Sequence, residues 1–86
     1  MSRIEAEVIL GDYFINEQTL DRELLRLVDF GEHTVSLQCI KISTGIQIED
    51  KRDENVVCEF DKSILGELVL ATPTDLKEFG IEVLLH

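Results

Sequence analysis

The sequence has 86 residues, of which 44% are hydrophobic and 30% are charged, and its formal net charge is −10 at pH 7. This length suits one small domain with its own core, and the composition is that of a globular protein rather than a disordered one. Direct nucleic-acid binding is disfavoured because it depends on lysine and arginine, which number 8 against 18 acidic residues. No apolar run approaches the roughly 18 residues of a membrane-spanning helix, so no membrane partner is expected either.

The first predicted element is a half-buried strand at residues 3–10. Ile4, Ala6 and Val8 alternate there with charged residues, and a period of two places the apolar side chains on one face of a strand. Acidic residues interrupt any apolar signal core in this segment, so a secretory signal is not expected. We therefore expect a cytoplasmic protein.

The main helix is predicted at residues 17–30, against one face of the sheet. Leu20, Leu24 and Leu27 recur at helical spacing. The helix is expected to begin after Asn16, a residue type that favours helix N-caps, and to end before the next glycine. The apolar residue before this cap is expected to pack on Leu20 as a hydrophobic staple.

A competing interpretation makes residues 24–30 a strand that pairs with residues 34–42. The segment contains two pairs of adjacent apolar residues, which fit strand alternation poorly, and the helix is preferred for this reason. If the segment were extended, a small all-β barrel would be the alternative fold class.

The strongest strand signal lies within residues 34–60. Val35, Leu37 and Cys39 alternate with polar residues, so one face of this strand is expected to join the core. At residues 40–42 the apolar phase shifts by one position. This shift predicts either a β-bulge or a strand that is covered on both faces.

A hairpin is predicted around Thr44 and Gly45, as a type I turn with a glycine bulge, because glycine readily adopts a positive φ. A further strand is expected beyond it, with Val56, Cys58 and Phe60 on a common face. Both cysteines of the chain lie in these apolar patterns. They are predicted to be buried thiols of the core rather than a disulfide.

Helical turns and a last strand are predicted near the carboxyl end. Asp61 is expected to cap a short segment, and residues 67–71 fit either its continuation or a strand. Thr72 is followed by a proline and, three residues after the cap, by an aspartate, which approximates a capping box. A short helix is therefore expected to end at Gly80, before a last strand at residues 81–85.

The predicted architecture is α+β: a single domain over residues 1–86, with a mostly antiparallel sheet of four or five strands and one main helix on one face. No pattern indicates catalysis, a cofactor or a metal. The two histidines, His33 in a predicted turn and His86 at the chain end, have neither a nucleophile at a recognisable spacing nor the short ligand spacing of a zinc site. The five glycines are too widely separated to form a phosphate-binding loop.

The favoured function is that of a small acidic, non-enzymatic protein-binding module. Small size and acidity fit an inhibitor or immunity-type protein that masks a basic surface of a nucleic-acid-handling partner, since complementary charge speeds association. The densest acidic cluster contains two basic residues and is interpreted as a solvated hairpin tip. The predicted partner-binding residues are the acidic side chains Glu17, Asp21, Glu49, Asp50, Asp53 and Glu54.

The alternative function is a structural or assembly module. Apolar sheet edges at residues 13–15 or 81–85 would then pair with another copy of the chain, giving a homo-oligomer, or with a larger complex. A small enzyme that uses carboxylates is the third hypothesis and has the least support.

Overall fold

The computed structural model describes residues 10–18 and 20–81. Two 3-10 turns, Arg52–Glu54 and Lys62–Gly66, flank the strand Val57–Asp61. The predicted α+β class is confirmed, and the sheet that the described strands form is not closed into a barrel. The described strands and helix are β1 (Tyr13–Asn16), β2 (Arg22–Phe30), β3 (Thr34–Ser43), β4 (Ile48–Asp50), β5 (Val57–Asp61), β6 (Val69–Leu70) and α1 (Pro73–Glu78).

All strand pairings are antiparallel, and β3 is the centre of the sheet. The order is β4–β3–β2–β1–β6, and β5 also pairs with β3. One edge of β3 is paired with β2 over almost its whole length. Along the opposite edge, β4 pairs near the end of β3 and β5 near its beginning. β4 and β5 therefore lie end to end, with the first 3-10 turn between them.

The predicted helix at residues 17–30 is wrong, because β2 occupies most of it. Leu20 is fully exposed, so it forms no hydrophobic staple. Asn16 ends a strand instead of capping a helix. The glycine after β2 lies in a tight turn, where the Gly31 N–H donates to the Thr34 carbonyl at 2.8 Å. The competing strand interpretation, with pairing to β3, is confirmed. The all-β barrel that was the alternative fold class is not formed by residues 10–18 and 20–81.

Two bulges explain why the apolar residues of β2 and β3 do not alternate simply. Leu25 lies opposite Cys39 and Leu24 opposite Lys41, so Ile40 is an extra residue in β3. A second register shift lies between Leu27 and Asp29, so Val28 is an extra residue in β2. The phase shift predicted at residues 40–42 is thus a bulge, and such bulges increase the local twist of the strands.

The sheet is also covered on both faces, by different elements. Phe14 and Ile15 are consecutive in β1 and therefore point to opposite faces, and each belongs to a separate apolar core. We call the face that bears Phe14 the front and the face that bears Ile15 the back. The front core contains Phe14, Leu27, Val35, Leu37, Leu65 and Leu68, whereas the back core contains Ile15, Leu24, Ile40 and Phe79.

Helix α1 covers the back face through Phe79, which follows its last turn and is 1% exposed. The guanidinium of Arg22, at the start of β2, lies 5.5 Å from the centre of the Phe79 ring. The same guanidinium is 3.7 Å from Asp75 and 3.6 Å from Glu78, both in α1. Arg22 therefore links the sheet to α1, because it contacts two carboxylates of the helix and the ring of Phe79 that follows it.

The predictions for the turns and caps are largely confirmed. Thr72 and Asp75 form the reciprocal bonds of a capping box, and Gly80, with a φ of 78°, follows the helix end. The Asp61 side chain accepts a hydrogen bond from the Ser63 N–H and caps the second 3-10 turn, and residues 69–70 form the alternative strand. The hairpin exists, but Gly45 has a φ of 88° at the first of its two central positions, where the predicted type I turn requires a negative φ.

The predicted strands at residues 3–10 and 81–85 lie outside the described residues, apart from Leu10 and Ile81, which are in a turn and an irregular segment. In the described part of the chain, no helix is long and apolar enough to cross a membrane.

Candidate functional site

The front face carries an open groove with a volume of about 360 Å³. The second 3-10 turn packs on this face through Ile64 and Leu65, in the same cluster as Val35. The predicted helix would have been available as a cover, but that segment is the strand β2. The groove has an apolar lining formed by Leu25, Leu37, Cys39, Val56, Cys58 and Phe60.

The register of β3 with β5 places the apolar lining on one face. Leu37 lies opposite Cys58, and Val35 lies opposite Phe60. Residues directly opposite each other in an antiparallel pair point to the same face, so the alternating apolar positions of both strands meet there. The predicted common face of Val56, Cys58 and Phe60 is confirmed.

Polar and charged side chains form the rim of the groove at its end nearest β4. The Asn16 amide donates to Glu23 at 3.1 Å. The Lys51 ammonium lies 3.1 Å from Glu54 and 3.8 Å from Glu49. Its hydrogen bond to Glu54 raises the pKa of Lys51, so the ammonium stays protonated at neutral pH. The groove therefore has charged side chains at its rim and an apolar interior, which is the usual composition of a binding site.

The prediction that both cysteines are core residues is wrong. Both are free thiols, Cys39 is half-buried and Cys58 is exposed, because the face that carries them is the open groove. Burial, together with the negative charge of Glu23, raises the pKa of the Cys39 thiol. Since the thiolate is the nucleophile, this environment disfavours nucleophilic chemistry at Cys39.

The outer edge of β5 adjoins the groove. Within the described residues, β5 pairs only with β3. The Cys39 N–H donates to the Val56 carbonyl at 3.0 Å, and the Lys62 N–H donates to the His33 carbonyl at 2.9 Å. Since hydrogen-bonded pairs alternate along an antiparallel ladder, the backbone groups of Val57 and Glu59 point away from β3.

Four of the six predicted partner-binding residues lie close together in the sequence, in β4 and the first 3-10 turn. They do not form a hairpin tip: Glu49 and Asp50 end β4, and Asp53 and Glu54 belong to the first 3-10 turn, at the edge of the sheet. Asp50 accepts hydrogen bonds from the Arg52 side chain at 3.0 and 3.1 Å, and these bonds lower the pKa of Asp50 to about 2. Glu49 and Glu54 form ion pairs with Lys51, so Asp53 alone of the four forms no ion pair with Lys51 or Arg52.

The other two predicted residues, Glu17 and Asp21, lie in the connection between β1 and β2. The Glu17 carboxylate is 3.5 Å from Arg22. Strands β2 and β3 separate this connection from β4, so the six residues do not form one surface. His33 is exposed in the turn before β3, as predicted, and lies 3.7 Å from Glu32.

Sequence reasoning missed two acidic residues of β5, Glu59 and Asp61. Both are exposed and share the back face, since Phe60 between them points to the front. Their alternation with Cys58 and Phe60 is visible in the sequence and is the signal that could have found them. Among the described residues, no group of three or more histidine, cysteine or acidic side chains is placed to hold a metal ion.

Comparison with known proteins gives no match among family models, curated proteins or solved structures.

Proposed function

We propose that this chain is a non-enzymatic protein-binding module that holds an extended segment of a protein partner along β5. The observation that carries the proposal is the position of the apolar groove beside an edge strand whose outer backbone groups have no partner among the described residues. The partner's main chain would bond to the outward groups of β5, and its side chains would fill the groove.

The physical basis is the addition of a strand to a sheet edge. In such complexes main-chain hydrogen bonds provide affinity, and pockets for alternate side chains provide specificity. Val57 supplies outward backbone groups, while Cys58 and Phe60 line the groove on the front face. An inhibitor or immunity-type role is one form of such a module, and the net charge of −10 supports it for a basic partner.

The test is a selection of displayed random peptides on the immobilised full chain, followed by affinity measurements with the enriched peptides. Val56→Arg places a long charged side chain at the groove, and Val69→Arg on the β6 edge is the matched control, since the two valines are 44% and 47% exposed. We expect Val56→Arg to abolish binding and Val69→Arg to preserve it. Enrichment of no peptide, or equal loss in both variants, would contradict the proposal.

Self-association is a second candidate function. Val69 and Leu70 are each 47% exposed on the short edge strand β6, so they present apolar surface at the opposite side of the sheet. Sedimentation velocity over a hundredfold range of concentration tests this function. A mass that rises with concentration for the natural chain but not for Val69→Lys would support it.

A further inference from the structure

We propose that the segment bound at β5 is an extended peptide in which basic residues alternate with apolar ones. This inference rests on the proposed function and names the chemistry of the partner. It follows from the two different faces that β5 presents to any strand added at its edge.

The register of β5 determines which side chains of an added strand share each face. Val57 and Glu59 offer their backbone groups outward, and residues opposite them on the added strand point to the same face as they do. That face is the back. The residues between these positions point to the front, beside Cys58 and Phe60, where the groove is apolar.

On the back face, β5 carries Val57 followed by two acidic residues, Glu59 and Asp61. Glu59 lies opposite Ser36, and Asp61 lies opposite Thr34, so no apolar side chain accompanies these acids in β3. Among the described residues, neither carboxylate forms an ion pair shorter than 4 Å. The adjacent base, Lys62, has its ammonium 4.2 Å from the centre of the Phe30 ring. A hydrogen bond from the Ser63 backbone lowers the pKa of Asp61, so it remains ionised at neutral pH.

Charge complementarity therefore favours lysine or arginine opposite Glu59 and Asp61. Opposite charges on directly opposed strand residues are favourable, and like charges are unfavourable. The front positions of the peptide, in contrast, gain by burying apolar side chains in the groove. An alternating basic and apolar pattern satisfies both faces at once.

The experiment titrates the isotope-labelled full chain with three short synthetic peptides, with blocked ends, at low salt. One alternates lysine and valine, one has the same composition in two blocks, and one alternates glutamate and valine. We expect the alternating lysine peptide to bind most tightly and to shift the amide signals of Val57 and Glu59. We expect Glu59→Lys to weaken this binding about fivefold, because an attractive cross-strand pair becomes a repulsive one. Glu67→Lys, at an exposed acid outside β5, should leave the affinity unchanged.

The outcomes separate this inference from the proposed function. If the glutamate peptide or the block peptide binds at β5 as tightly as the alternating lysine peptide, the groove binds segments but the inferred pattern is wrong. If none of the three binds and the peptide selection also fails, the proposed function fails as well. Slow deuterium exchange of the Val57 and Glu59 amides in the free chain would show that the edge is already covered, by the chain itself or, where exchange depends on concentration, by a second copy. Slow exchange from either cause would overturn the inference.

Discussion

Replacing Phe79 by alanine tests how the short helix α1 is held on the sheet. Phe79 is 1% exposed and packs in the back core with Ile15, Leu24 and Ile40. Removing a buried phenylalanine side chain costs about 3–5 kcal/mol, and the lost contact with the Arg22 guanidinium adds about 0.5–1 kcal/mol. A chain of this size has a total free energy of unfolding of about 4–13 kcal/mol. The substitution therefore removes a large part of the stability.

Urea unfolding followed by far-ultraviolet circular dichroism measures this loss, from both the midpoint and the slope of the transition. Phe79→Leu should retain part of the lost stability, and Ile48→Ala, at an exposed edge position, should change it by less than about 0.5 kcal/mol. A smaller slope for Phe79→Ala would show that α1 has already detached in the native state. A loss below about 1.5 kcal/mol with an unchanged slope would refute the anchoring of α1 through this ring.

Three further predictions concern the capping box, the acidic turn and the thiols. Thr72→Ala should lower the free energy of unfolding by about 1 kcal/mol in urea, and Thr72→Ser should restore it, because only the hydroxyl caps α1. The folded pKa of Asp50 is about 2, below its ordinary 3.8, so its stabilising contribution is complete above about pH 4 and is lost as the pH falls towards 2. Asp50→Asn should reduce the dependence of the urea midpoint on pH in that range, and an unaltered curve would contradict the assignment. Iodoacetamide at pH 8 should modify exposed Cys58 much faster than Cys39, whose pKa is raised by burial, and equal rates by peptide mass spectrometry would show that Cys39 is not shielded.

The elements with strong local chemistry were predictable from the sequence. Thr72 and Gly80 delimit the short helix, and Gly45 marks the hairpin, because caps and positive φ angles depend on a few neighbouring residues. The strand signal of residues 34–60 was also sufficient for β3, β4 and β5. These features need no knowledge of what the rest of the chain does.

The strand β2 was not predictable in the same way, because its pattern depends on distant partners. Leu24 points to the back core under α1, and Leu25 and Leu27 pack with the front core. A bulge after Leu27 then shifts the phase. A strand that is covered on both faces and bulged has apolar residues at intervals of three and four, which is also the helical spacing.

The groove was missed for the same reason. Cys39 and Cys58 were expected to be buried because they lie in apolar strand patterns, and the helix predicted at residues 17–30 would have been available to cover one face of the sheet. Once that segment is a strand, the alternating apolar residues of β3 and β5 remain, but the described part of the chain covers only some of them. The apolar face itself was predictable, whereas its exposure depends on the structure of another segment.

The placement of β4 and β5 end to end limits how far a foreign chain can run along this side of the molecule. The 3-10 turn Arg52–Glu54 separates the two strands, and Asn55 after it has a left-handed φ of 50°. A guest strand in register with β5 thus meets five residues, Val57–Asp61, or about 17 Å of ladder at roughly 3.4 Å per residue. A short docking segment fits this span. A longer strand could not continue its pairing from β5 to β4, because the 3-10 turn interrupts the edge between them.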